Sequence, residues 1–132
     1  MSLTIKSIHS PDAPNVRHWE PDDPEEACLL VELEIGPNEE QGTNLFQIMV
    51  ATPKGLLKWA RSATTPVLSD RGLLVLTTYS SQALLEWLSQ TVNHCSADTW
   101  TESVSLLQKY FRWEYEDFEP EKKKVTRPKK RS

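Results

Sequence analysis

Carboxylates are the residues of this chain whose type and spacing first suggest chemistry. Between Arg17 and Lys54 no basic side chain occurs, yet nine acids do: Glu20, Asp22, Asp23, Glu25, Glu26, Glu32, Glu34, Glu39 and Glu40. Adjacent acids such as Asp22 with Asp23, or Glu39 with Glu40, could act as general acid and base only in partly desolvated environments that differ from one another. Neighbouring loop acids stay solvated alike, so the chemistry they point to is electrostatic, a negative field that meets a basic partner. There is no GxSxG elbow, phosphate-cradling glycine loop, HExxH helix or repeated cysteine pair. Nothing in the motifs requires an enzyme, a catalytic residue or a cofactor.

The remaining reactive side chains read as structural. Cys28 falls in a predicted strand and Cys95 near a helix end, which suits reduced, buried thiols. His94 beside Cys95 makes no metal site, because zinc needs three or four converging ligands and none stands at ligand spacing nearby. Five tryptophans could form a base-stacking platform, but the registers of Trp59, Trp87, Trp100 and Trp113 assign them to a core. Trp19 lies in a loop, where it either closes over the sheet edge or touches a partner.

The acids must be positioned by the elements around them. Leu29, Val31, Leu33 and Ile35 alternate with Leu30, Glu32 and Glu34, and Phe46, Ile48 and Val50 alternate with Leu45, Gln47 and Met49. That period of two predicts a hairpin with one buried face, its strands joined by an extended loop over 36–44. Leu3 to Ile8 reads as a first strand. Pro21 and Pro24 exclude a helix from the acidic segment between them and hold it as a stiff loop. Thr52-Pro53 predicts a helix start, with Leu56, Leu57, Trp59 and Ala60 giving an amphipathic helix that ends near Ser62.

Farther on, Leu73 to Thr78 reads as a short, buried central strand. Ser80 or Ser81 caps a helix whose stripe is Leu84, Leu85, Leu88, Thr91, Val92 and Cys95. Thr99 to Glu102 forms a capping box, with Trp100, Val104, Leu107 and Phe111 on the buried side of the helix it opens. Trp113 and Tyr115 alternate with Glu114 and Glu116 as in a last strand. The sum is one α+β domain over 1–121, in which about three helices cover a mainly antiparallel sheet. Strand order is not readable from this pattern.

The net charge of −4 hides a division. Lys122 to Ser132 holds seven basic residues and no acid, which leaves eight basic against nineteen acidic residues in 1–121, a balance of −11. The tail over 122–132 has little to bury and is expected to be disordered, whether it stays solvated, folds back on the acidic body or binds nucleic acid. The acidic body itself repels phosphates, so no direct nucleic-acid contact is expected of it. No apolar run approaches the roughly 18 residues of a membrane span, and the amino terminus has no secretory pattern. A soluble cytoplasmic protein is the expectation.

Taken in order, Trp19, Pro21-Asp22-Asp23-Pro24-Glu25, the strand end Ile35-Gly36-Pro37, Gly42, Phe46, Thr52-Pro53 and the closing Trp113 to Phe118 resemble the immunity protein 8 family of bacterial polymorphic toxin systems. The likeness runs from about Leu3 to Glu119. It departs at Thr43-Asn44-Leu45, where relatives tend to carry glycine or small polar residues, at Ala51 in place of a cysteine, and at the basic ending. The resemblance implies an antidote rather than an enzyme. Such a protein binds a cognate toxin domain, often the carboxy-terminal tip of a contact-dependent growth inhibition protein, inside the producing cell. Many such toxins are nucleases with basic clefts, which an acidic surface can mimic and steer toward. Asp22, Asp23, Glu25, Glu39 and Glu40 are the principal candidate contact, with Glu114, Glu116 and Asp117 as a second edge. The competing reading is a nucleic-acid or adaptor module that works through the basic tail.

Overall fold

The computed structural model describes residues 1–64 and 70–116. The chain runs β1 (Leu3–His9), β2 (Cys28–Pro37), β3 (Asn44–Ala51), α1 (Pro53–Ser62), β4 (Leu73–Val75), α2 (Ser81–His94), α3 (Trp100–Leu107) and β5 (Arg112–Trp113). The sheet order is β1-β2-β3-β4, with β5 also paired to β3. All pairs are antiparallel except β3 with β4. The α+β architecture expected from the sequence is the one observed.

The hairpin β2–β3 is in register from Cys28 opposite Ala51 to Ile35 opposite Asn44. Its alternation buries Leu29, Val31, Leu33 and Ile35 with Phe46, Ile48 and Val50, against Leu84, Leu88 and Val92 of α2, Val104 and Leu107 of α3, and Phe111. Each of these large side chains contributes about 1.5–3 kcal/mol by leaving water, so the hairpin and the two later helices supply most of the cohesion. The three helix starts follow their local chemistry. Thr52, Ser80 and Thr99 accept from the N–H of Gly55, Ala83 and Glu102 at 3.2, 3.2 and 3.1 Å, and Thr99 also donates to the Glu102 carboxylate at 3.2 Å.

Three expectations need correction. α1 gives the core no large side chain: Gly55 is its buried residue, while Leu57 and Trp59 are 51% and 37% exposed. Gly55 explains this, because a Cβ there would stand 2.1 Å from the Ala27 carbonyl oxygen, so α1 meets the rest of the fold backbone to backbone. The strand predicted over Leu73 to Thr78 is three residues long and lies at the sheet's edge rather than its centre. There Leu74 turns toward the core while Val75 is 46% exposed. The last strand stops at Trp113, because the Glu116 N–H donates back to the Trp113 carbonyl at 3.0 Å and turns the chain. The basic tail over 122–132 lies outside the described residues. Among those described, no helix is long and apolar enough to cross a membrane.

Candidate functional site

The fold places the two principal acid groups at opposite ends of the hairpin. Asp22, Asp23 and Glu25 precede β2, and Glu39 and Glu40 follow it. Ten strand residues at about 3.3 Å each put them roughly 30 Å apart.

At the first end, part of the acidity is already engaged by the fold. Glu20 accepts from the backbone N–H and the hydroxyl of Ser81, at 3.1 and 2.7 Å, and so holds the start of α2. Asp23 accepts from the Glu25 N–H at 2.9 Å, an Asx turn that spans Pro24, and lies 3.7 Å from Lys54. Glu26 pairs with Lys58 at 2.7 Å. The carboxylates of Asp22 and Glu25 remain exposed, and no hydrogen bond or ion pair to a described residue occupies them.

The two lysines belong to α1, so this loop and helix form one surface. Thr52 joins them from beneath. It is fully buried, accepts from the Ala27 N–H at 2.9 Å and donates to the Glu25 carbonyl at 2.6 Å. Exposed on the same helix are Leu57, Trp59 and Arg61. Trp59 stands one turn beyond Gly55, on the side that meets Ala27. Sequence reading placed Trp59 in the core. The residue that reverses this is Gly55, whose absent side chain is the one local signal of close backbone approach.

At the other end, the loop carrying Glu39 and Glu40 is tied to β1. Lys6 donates to the Glu40 carbonyl, the Thr4 hydroxyl donates to the Asn38 side chain, and the Asn38 N–H donates to the Ser2 carbonyl at 2.7 Å. The carboxylates of Glu39 and Glu40 are exposed, again without a described partner.

The second candidate edge is largely engaged within the fold. Glu114 accepts from the Leu45 N–H at 2.7 Å and closes the end of β3. Glu116 accepts from Arg71, from Arg112 at 3.3 Å and from the Trp113 N–H at 3.1 Å. Burial alone would raise its pKa, but the Arg71 hydrogen bond, the Trp113 N–H and the two arginine charges outweigh it and hold the carboxyl below the usual carboxylate range. Asp117 lies outside the described residues.

Trp19, Cys28 and Cys95 are each at least partly buried in the fold. Trp19 is half-buried and packs edge-on against Tyr79, ring centres 5.2 Å apart, so it closes over the core. Burial first, then Asp12, raises the Cys28 thiol. Burial also raises Cys95, against the nearby Lys109.

Among known proteins, the family model described as Immunity protein 8 matches residues 3–118. No curated protein and no solved structure matches the chain.

Proposed function

The chain belongs to the Immunity protein 8 family, and from that membership we propose that it neutralises its toxin by binding it through the surface of the 20–26 loop and α1. An immunity role follows from the family, and with it a cognate toxin as partner. The observation that carries the choice of surface is the pairing of α1 with the acidic loop through Lys54 with Asp23 and Lys58 with Glu26, which sets the free Asp22 and Glu25 carboxylates on the loop beside a helix that exposes Leu57, Trp59 and Arg61. Protein interfaces concentrate their affinity in a few aromatic and arginine anchors ringed by polar groups, and this surface has both parts. The balance of −11 over 1–121 supports a basic partner. A nuclease domain from a contact-dependent growth inhibition protein fits that charge, and its neutralisation takes place in the cytoplasm of the producing cell.

Co-purification with the product encoded immediately upstream, followed by calorimetry on that product's isolated carboxy-terminal domain, tests the reading. A stoichiometric complex with nanomolar or tighter affinity, about −12 kcal/mol, is expected. Paired reversal of Asp22 and Glu25 to lysine should weaken it and reduce growth protection. Full protection by that double variant would move the interface elsewhere. Deletion of 122–132 should leave protection intact, and its loss would favour an adaptor working through the basic tail.

A further inference from the structure

The outer edge of the sheet is β1, and its backbone phase can be worked out. The Leu3 N–H donates outward to the Ser96 hydroxyl at 3.1 Å, while the Ser2 carbonyl accepts from Asn38 on the inner side. Groups on successive residues of a strand alternate in direction, so Thr4 faces β2 and Ile5 faces away. A bulge between Ile5 and Ser7 then shifts the pairing, with Ser7 opposite Glu34 and Ile8 opposite Leu33. Ile8 therefore faces outward as well. Beyond β1 no further strand stands among the described residues.

Beside this edge runs a groove of about 330 Å³ between β1 and α2. Leu3, Ile5 and Ile8 line it from the strand with Thr4, Leu85 and Val92 from the helix with the polar Ser89 and Asn93, and Arg17 is the one charged side chain in its wall. Arg17 has no hydrogen bond or ion pair with any described residue.

We propose that this edge and groove bind an extended peptide segment that carries a carboxylate, added to the sheet as a strand beside β1. Each demand comes from a separate feature. Outward N–H and C=O groups on Ile5 and Ile8 are satisfied by another extended backbone. Ile5, Ile8, Leu85 and Val92 take apolar side chains on one side of that strand, beside the polar Ser89 and Asn93. Arg17 supplies a charge-assisted, two-pronged donor for an acidic side chain or a terminal carboxylate. From Ile5 to Ile8, past the Leu3 N–H that Ser96 already takes, the edge offers about 10 Å, the length of three or four extended residues.

A second copy of this chain is a poor occupant. Its β1, Leu3-Thr4-Ile5-Lys6-Ser7-Ile8-His9, has no acid for Arg17 and would bring another Lys6 to the same edge. Lys122 to Ser132 carries seven basic residues and would be repelled by Arg17. The ligand is a separate acidic segment, and the groove uses none of the residues assigned to the toxin surface.

Panning random seven-residue segments, displayed both internally and with a free carboxy terminus, on the full chain tests this. Enriched peptides should alternate apolar residues and place one carboxylate at a fixed end. The synthetic peptide's affinity, read by fluorescence anisotropy, should fall about tenfold or more in Arg17→Glu and be only partly retained in Arg17→Lys, which keeps the charge but not the fork. Bound peptide should also protect the Ile5 and Ile8 amides from hydrogen exchange. Because Arg17 is exposed, both variants should melt with the wild type. No enrichment, or equal binding by Arg17→Glu, overturns the proposal. So does a dimer that buries the Ile5 amide, or release of the groove on deleting 122–132, since either would show a different occupant.

Discussion

Thr52→Val is the sharpest test of how the acidic loop is held on α1. Valine keeps the shape of threonine but replaces the hydroxyl with a methyl group. The Thr52 oxygen serves the Ala27 N–H at 2.9 Å, the Gly55 N–H at 3.2 Å and the Glu25 carbonyl at 2.6 Å. Ala27 and Gly55 are buried, whereas Glu25 is exposed and its carbonyl can turn to water. Two buried donors are thus left without partners, each at about 1–3 kcal/mol, for a total loss of about 2–6 kcal/mol. The lost helix cap is the Gly55 bond itself and is not counted again.

For 132 residues, each kcal/mol moves the melting temperature by about 3–4 °C. Thr52→Val should therefore melt about 6–24 °C below wild type by calorimetry. Thr52→Ser keeps the oxygen and loses one methyl group, so it should lose only about 1 kcal/mol. In a complex with the toxin domain, Thr52→Val should also bind more weakly at temperatures where it is still folded, because Asp22 and Glu25 then sit on a looser loop. Melting of Thr52→Val within about 2 °C of wild type would refute the reasoning, as would a serine variant less stable than the valine one.

Trp59→Ala should leave the melting temperature nearly unchanged, because Trp59 is outside the core cluster, yet cost about 2 kcal/mol or more of toxin affinity by calorimetry. Glu116→Gln should destabilise the fold by about 1 kcal/mol at pH 7, through loss of the Arg71 and Arg112 clamp. Its folded pKa lies below the unfolded one, so the stabilisation is present above about pH 4.5 and fades as the pH falls through the folded value. Denaturant curves of Glu116→Gln and wild type should therefore converge in acid. Tyr79→Phe should equal or exceed wild type by up to about 1 kcal/mol, because the hydroxyl is buried with no hydrogen-bond partner among the described residues. Burial, with Glu20 adding, pushes the Tyr79 phenol from 10.0 up to about 12. The unfolded chain ionises first, so wild-type stability should drop between these pH values and Tyr79→Phe should remove that part of the slope.

What was legible in the sequence is what local hydrogen bonding and short periods decide. Thr52, Ser80 and Thr99 announced their helices because an N-cap needs only a side-chain oxygen and an N–H three residues on. The hairpin was legible because Leu29 to Ile35 and Phe46 to Val50 each keep a period of two with one buried face. The pattern around Leu57 and Trp59 misled because an amphipathic helix states that it has an apolar side, not that the core reaches it. Gly55 against Ala27 settles that question at a distance of 28 residues. Glu114 and Glu116 read as a negative face because a charge looks the same in sequence whether solvated or clamped. Their partners, Leu45 and Arg71, lie 69 and 45 residues away. The parallel pairing of Met49 to Ala51 with Leu73 to Val75 was equally out of reach, since a three-residue strand carries almost no period.

The separation of the two acid groups also decides how each can act. A standard interface covers about 800 Å² on each partner, a patch roughly 32 Å across. Centred on α1 and the 20–26 loop, it extends about 16 Å, whereas Glu39 and Glu40 stand roughly 30 Å along β2. They lie beyond its rim, where charge alters encounter more than residence. Lysine reversal of Glu39 and Glu40 should therefore slow association at low salt, with the effect vanishing near 0.15 M where the screening length is about 8 Å, and leave dissociation unchanged. The same reversal of Asp22 and Glu25 should speed dissociation at either salt concentration. Stopped-flow association and dissociation rates measured on both double variants separate the two roles. If the Glu39 and Glu40 pair governs dissociation instead, the toxin sits on the far end of the hairpin and α1 is not its anchor.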